Sequence, residues 1–225
     1  YVLEPQASFV LMDPHTGEVL ALTGGRGEKK QSKTLNRASN VLRQPGSTFK
    51  IITSFAPAID LYGATLASTY YDSEYTLGNK TFKNWYSGGY LGFQSIRDGI
   101  VYSLNIVAVR CLMETVKPER GYQYAESLGI TSLVKDDENP ALALGGLTRG
   151  VSNLELTQAF SAIANGGELE KAKFFSKIVD QDGKVLIDTT EDKPTQVMKA
   201  TTAYLLTDAM KESMESNRAF ASDVR

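Results

Sequence analysis

Apolar and polar positions divide the chain into short paired runs and longer helix-periodic stretches. Two apolar runs, Ala7 to Asp13 and Glu18 to Thr23, flank the turn-forming Pro14-His15-Thr16-Gly17 and predict a β-hairpin. Arg26 to Asn40 is polar and lacks a clear period, so it reads as a surface loop or short helix. From Ser47 onward, Ile51, Ile52, Phe55, Ala56 and Ile59 keep an apolar face at helical spacing until Gly63, with Pro57 expected to kink the helix. Asp60 to Leu91 is rich in Tyr, Thr, Ser and Gly and reads as an irregular excursion, with short strands around Tyr75 to Phe82. Gln94 to Val101 and Ile106 to Val116 are again apolar at helical spacing, separated by the polar turn Tyr102-Ser103-Leu104-Asn105. Pro118 and Gly129 bracket a further helix. Ser152 with Glu155 makes a capping box, Val151 with Leu156 a hydrophobic staple, and that helix runs to Asn165 before Gly166-Gly167. Phe174 to Asp180 and Lys184 to Asp188 predict a second hairpin, and Thr201 to Ser216 a last amphipathic helix. On pattern alone the class is α+β.

Composition adds exclusions. The chain's 225 residues suit one large domain or two small ones, and 42% hydrophobic with 22% charged residues is the balance of a globular protein. A net charge of -2 gives no general attraction for nucleic acid or anionic lipid. No apolar run is long enough to span a bilayer, and no signal peptide is read ahead of Tyr1. Cys111 is the single cysteine, which excludes an internal disulfide, and it is expected to be buried in the apolar part of its helix. With one histidine, His15, a zinc site would lean on carboxylates, so no metal and no cofactor are expected. Asp180-Gln181-Asp182-Gly183 lacks the third acid and terminal glutamate of a calcium loop and reads as a turn.

Candidate chemistry concentrates in Arg43-Gln44-Pro45-Gly46-Ser47-Thr48-Phe49-Lys50. Residues three apart on a helix share a face, so Ser47 and Lys50 suit a nucleophile and its base. A lysine followed at once by Ile51 and Ile52 is poorly placed for a solvated ammonium, and burial would lower its pKa toward that of a base. A serine after Pro-Gly is equally what a plain N-cap looks like. Ser103 and Asn105, two apart in a turn, can face one way in an extended backbone; here too Ser103 as a cap of the following helix stays open. Trp85, the only tryptophan, is read either as a cleft wall or as a cover for the core. His15 is assigned no role, and Glu155 is accounted for by capping.

Taken together, Asp13-Pro14-His15-Thr16-Gly17-Glu18-Val19-Leu20-Ala21, the Arg43 to Lys50 stretch, Ser103-Leu104-Asn105 and the run from Ala143-Leu144-Gly145-Gly146 to Ala164-Asn165-Gly166-Gly167 resemble the transpeptidase domain of class A penicillin-binding proteins, from about Ala7 to Met214. The resemblance implies an antiparallel sheet sandwiched by helices, shared with serine β-lactamases, and a partial transpeptidase domain over residues 1–225. It implies acyl transfer on peptidoglycan stem peptides ending in D-Ala-D-Ala, with Ser47 as nucleophile, Lys50 as its base, Ser103 relaying a proton to the leaving amine and Asn105 holding substrate and orienting Lys50. β-Lactams would acylate Ser47. A β-lactamase or drug sensor, or a non-catalytic scaffold on the same fold, are the alternatives.

One departure stands out. The family's third motif, Lys-Thr-Gly or Lys-Ser-Gly on a strand, is absent: Lys33-Thr34-Leu35, Lys80-Thr81-Phe82 and His15-Thr16-Gly17 do not supply it. The chain is therefore expected to be a fragment, truncated near Arg225, with the missing C-terminal strands either cut away or held as a second chain of a nicked protein. By resemblance the whole protein carries a glycosyltransferase domain and a membrane anchor, and works at the outer face of the bacterial cytoplasmic membrane.

Overall fold

The computed structural model describes residues 5–29, 31–190 and 192–216. The expected cleavage point at Arg225 lies outside them.

The first hairpin forms as the pattern predicts: β1 (Phe9–Met12) pairs antiparallel with β2 (Val19–Thr23). Asp13 Oδ1 accepts the backbone N–H of His15 at 2.8 Å, which organises the turn. The predicted helix after Ser47 is less regular than its apolar period. Gly46–Thr48 is a 3₁₀ turn, Ile51–Phe55 is wound as a π-helix, and only α1 (Ala56–Tyr62) is α-helical, ending at Gly63 with φ +69°. Pro57 lies at the start of α1, directly after the widened turn. Proline has no N–H to return to the preceding turn, and a π-turn is one way a helix absorbs that loss.

The aromatic excursion is better ordered than expected. β4 (Tyr75–Leu77) and β5 (Lys80–Phe82) form the anticipated short hairpin, and β3 (Thr69–Asp72) pairs antiparallel with β6 (Gly92–Ser95) to close its base. Gln94 and Ser95, read as helical, therefore end a strand. Helix α2 (Ile96–Val101) starts after Ser95, whose side chain forms a capping box with Asp98. After the turn, α3 (Asn105–Arg110) runs into a π-helical segment, Cys111–Val116, and α4 (Pro118–Ser127) follows. Helix α5 (Asn153–Ala164) opens on the predicted Ser152–Glu155 capping box. β7 (Glu168–Leu169), β8 (Lys177–Val179), β9 (Val185–Asp188) and β10 (Thr195–Gln196) come next, then α6 (Ala200–Glu215).

The architecture is mixed α/β with antiparallel pairing throughout, but the described strands form five ladders of two in place of a single sheet: β1–β2, β3–β6, β4–β5, β8–β9 and β7–β10. Each of these closes a local hairpin or excursion, and much of the remaining sequence folds as helix. The core is accordingly helical. Phe49, Ile52 and Phe55 meet Ile96, Leu104, Ile106 and Leu112 in one fully buried cluster, extended by Leu128, Ile130, Leu142 and Ile163. Burying side chains of this size stabilises by about 1.5–3 kcal/mol each. Cys111 lies in that cluster as expected, its thiol facing the Ser54 carbonyl at 3.4 Å.

Candidate active site

The Ser47 segment is delivered by a turn that needs glycine. Pro45 is helical in conformation, Gly46 has φ +61°, and the Thr48 hydroxyl donates to the Pro45 carbonyl at 2.8 Å. Ser47 is left exposed, while Lys50, one turn on, is only 2% exposed. A buried ammonium loses its hydration, so the Lys50 pKa falls from 10.5 to about 7.

Lys50 Nζ reaches the Ser103 carbonyl at 2.6 Å, Ser103 Oγ at 3.0 Å and Asn105 Oδ1 at 2.6 Å. Three of the four sequence-predicted residues thus meet around one nitrogen. Ser103 has φ +51°, a left-handed conformation rare outside glycine, and it is this twist that aims both its hydroxyl and its carbonyl at Lys50. The competing reading of Ser103 as a cap is overturned: the N-cap of α3 is Leu104, which offers no side-chain acceptor. Ser47 is the residue not joined. Among the described residues no hydrogen bond links its hydroxyl to Lys50, whose contacts go to Ser103 and Asn105. Catalytic hydrogen bonds often tighten only when substrate is bound.

Two long-range clamps hold this arrangement. Arg43 exchanges both backbone hydrogen bonds with Val151, each at 2.9 Å. The Gln44 amide grips the backbone of Leu147 from both sides: Nε2 donates to its carbonyl and Oε1 accepts from its N–H, each at 2.6 Å. Between them Gly145 lies against Gly46, so closely that a Cβ on Gly145 would stand 2.4 Å from the Gly46 oxygen. The Ser47 turn is therefore seated backbone to backbone on the Ala143 to Val151 segment. On the other side, Asn84 Oδ1 accepts from the backbone N–H groups of Asn105 and Ile106 at 2.9 and 3.2 Å. Trp85 donates from Nε1 to the Tyr102 carbonyl at 3.0 Å and is 56% exposed, so it stands beside the Ser103 turn and does not cover the core.

Residues set aside in the sequence stay outside the constellation. His15 Nδ1 pairs with Asn165 Oδ1 at 2.6 Å on the exposed hairpin turn. Glu155 is engaged by Ser152 and Thr131. Burial pushes the Cys111 thiol up to about 12, leaving it un-ionised and inert as a nucleophile. Among the described residues no group of three or more His, Cys, Asp or Glu side chains converges as a metal site would require. Gln44, Asn84 and Gly145 were missed as functional positions. Gln44 and Gly145 stand within motifs already singled out, but no local pattern announces Asn84, whose partners Asn105 and Ile106 lie about 20 residues away.

The constellation holds a buried amine whose pKa is lowered to about 7, a hydroxyl and an amide beside an exposed serine, the parts needed for acyl transfer through a serine ester. Residues 7–223 match the family model "Penicillin binding protein transpeptidase domain". The chain is 36% identical over 200 residues to penicillin-binding protein 1A of Clostridium botulinum (strain Langeland), covering 83% of this chain and 24% of that protein. To penicillin-binding protein 1F of Bacillus subtilis it is 36% identical over 214 residues, covering 95% and 29%. It thus spans roughly a quarter of the length of these relatives. Among solved structures, penicillin-binding protein 1A of Haemophilus influenzae superposes with a TM-score of 0.80 at 23% identity, over 97% of this chain and 37% of that one. PonA1 of Mycobacterium tuberculosis in complex with penicillin V gives 0.77 at 24% identity, over 92% and 55%.

Proposed function

The chain belongs to the penicillin-binding protein transpeptidase family, and from that premise we propose that it is part of a D,D-transpeptidase domain that cross-links peptidoglycan through an acyl-enzyme on Ser47. The observation that carries the reading is Lys50: buried, held near neutrality at about 7, and fixed by Ser103 and Asn105 one turn from an exposed serine.

The steps follow from these groups. Ser47 Oγ attacks the carbonyl carbon between the two terminal D-alanines of a stem peptide, and its proton passes to Lys50. As the tetrahedral centre collapses the C–N bond breaks, and Ser103 hands a proton, replenished from Lys50, to the departing D-alanine nitrogen. An amine of a neighbouring stem peptide then attacks the ester, giving up a proton to Lys50, which returns it to the Ser47 oxygen as the C–O bond breaks. General acid–base assistance of this kind contributes about 10²–10⁴-fold. The Ser47 N–H, at the start of a helical run, is one donor for the developing oxyanion. The second donor and the carboxylate-binding site belong to a Lys-Thr/Ser-Gly strand that this 225-residue sequence does not contain. β-Lactams enter the same route, ring opening taking the place of D-alanine release. We place the whole protein at the outer face of the bacterial cytoplasmic membrane, with an anchor and a glycosyltransferase domain beside this one; among the described residues no helix is long and apolar enough to cross a membrane.

Labelling the intact protein with a fluorescent penicillin tests the reading. A persistent covalent label that disappears in Ser47→Ala is expected. Label retained in that variant, or none on the intact protein, overturns it, and rapid release of the label would point to a β-lactamase.

A further inference from the structure

Asn105 is held at three polar atoms. Its backbone N–H goes to Asn84 Oδ1 at 2.9 Å, and its side-chain Nδ2 donates to the Lys83 carbonyl at 2.9 Å. The remaining atom, Oδ1, faces Lys50 Nζ at 2.6 Å. Asn84 also accepts from the Ile106 N–H at 3.2 Å, and so supplies, from about 20 residues upstream, the cap that Leu104 cannot provide for α3.

An asparagine amide can face either way, and for Asn84 the direction is set by Asp72 together with the Tyr86 hydroxyl, which also accepts from Nδ2 at 3.0 Å. That carboxylate is 1% exposed; its Oδ1 accepts from Asn84 Nδ2 at 2.8 Å, while Oδ2 accepts from the Leu91 N–H at 2.9 Å and the Tyr86 hydroxyl at 3.2 Å. With Nδ2 claimed by a carboxylate, Asn84 Oδ1 is obliged to face the start of α3. A buried acid at the end of β3 is an expensive group to keep for packing alone, because it must be fully hydrogen-bonded to be tolerated.

We infer that Asp72 and Asn84 are a positioning pair for the Ser103–Asn105 motif: the carboxylate orients the Asn84 amide, the amide fixes the backbone of Asn105, and Asn105 thereby presents its carbonyl oxygen to Lys50. Neither residue touches the reacting atoms. The inference rests on the acyl-transfer reading for its consequence in rate, but the hydrogen-bonded chain it describes stands on geometry.

The test uses the intact protein and three variants. Asn84→Ala lowers the rate constant for acylation by penicillin by about tenfold to a hundredfold, through loss of alignment, with little change in the dissociation constant of the non-covalent complex. Hydrogen exchange at the Asn105 and Ile106 amides speeds up in the same variant. Asn84→Asp sets two carboxylates against each other and is equally impaired. The double exchange Asp72→Asn with Asn84→Asp reverses the direction of the hydrogen bond, keeps the net charge and the cap, and recovers both the rate and the amide protection; it keeps the inference open to refutation if the alanine variant fails to fold. An alanine variant that acylates at the parental rate, slowed acylation with amide protection intact, or a double exchange no better than Asn84→Asp overturns the pairing. If the parental protein takes no label, the transpeptidase reading falls, and amide exchange in the variants still decides whether Asp72 and Asn84 hold the motif.

Discussion

Residues 43–50 and residues 174–190 face opposite environments. In the first stretch Arg43, Gln44 and Gly46 are bound to a segment 100 residues away, and Phe49 and Lys50 are buried. In the second, the β8–β9 hairpin is well paired within itself, yet Phe174 (58% exposed), Val179 and Leu186 lie open to solvent. Both stretches are hydrogen-bonded. What separates them is whether the rest of the chain closes over the segment, and only the enclosed one can strip a lysine of its hydration and lower its pKa.

The sharpest way to break the contrast is to remove that lysine. Lys50→Met keeps an unbranched side chain in the buried site, and acylation by penicillin should fall by about 10²–10⁴-fold while the hairpin is untouched; stopped-flow labelling reads it. A second test uses acid. Lys50 accepts a proton only when neutral, so the acylation rate should level off above about pH 7 and fall about tenfold for each unit below it. The sign for stability agrees: between about 7 and 10.5 the unfolded chain binds the proton that the native state has shed, so this residue's penalty is full below about 7 and is relieved as pH rises. Third, Gly145→Ala would place a Cβ 2.4 Å from the Gly46 oxygen at a residue with φ +68°. It should cost about 2–3 kcal/mol in urea unfolding and slow labelling by displacing the Ser47 turn. At the other end, Leu186→Thr on the exposed hairpin should change stability by less than about 0.5 kcal/mol and leave the labelling rate alone. An effect there as large as at Gly145 would erase the distinction.

Legibility followed the range of the interactions. The Ser47 and Lys50 spacing, the Ser103 and Asn105 pair, the Ser152–Glu155 box and both outer hairpins are written within a few residues of themselves, and each was readable. The β3–β6 ladder spans about 20 residues and was read as loop and helix. The π-helical turn before Pro57 was hidden because a widened turn preserves the apolar face that signals an ordinary helix. Within the site, Ser47, Lys50, Ser103 and Asn105 were named, while Asn84, Gln44 and the contact of Gly145 with Gly46 were not. Their identities matter only because of what lies across from them. The distribution of strands in five separate ladders was equally out of reach, since pairing partners are a property of the assembled chain.

The trio of contacts around Lys50 also carries a count of hydrogens. An ammonium has three to give, one for each of the Ser103 carbonyl, the Ser103 hydroxyl and the Asn105 oxygen. A neutral amine has two and a lone pair, and of those three neighbours only the hydroxyl can donate in return. Loss of one proton from Lys50 therefore rotates the Ser103 O–H from acceptor to donor. On the proposed mechanism that hydroxyl stoppers the lone pair in the resting enzyme, and it must turn away from Lys50 before Ser47 can pass its proton there.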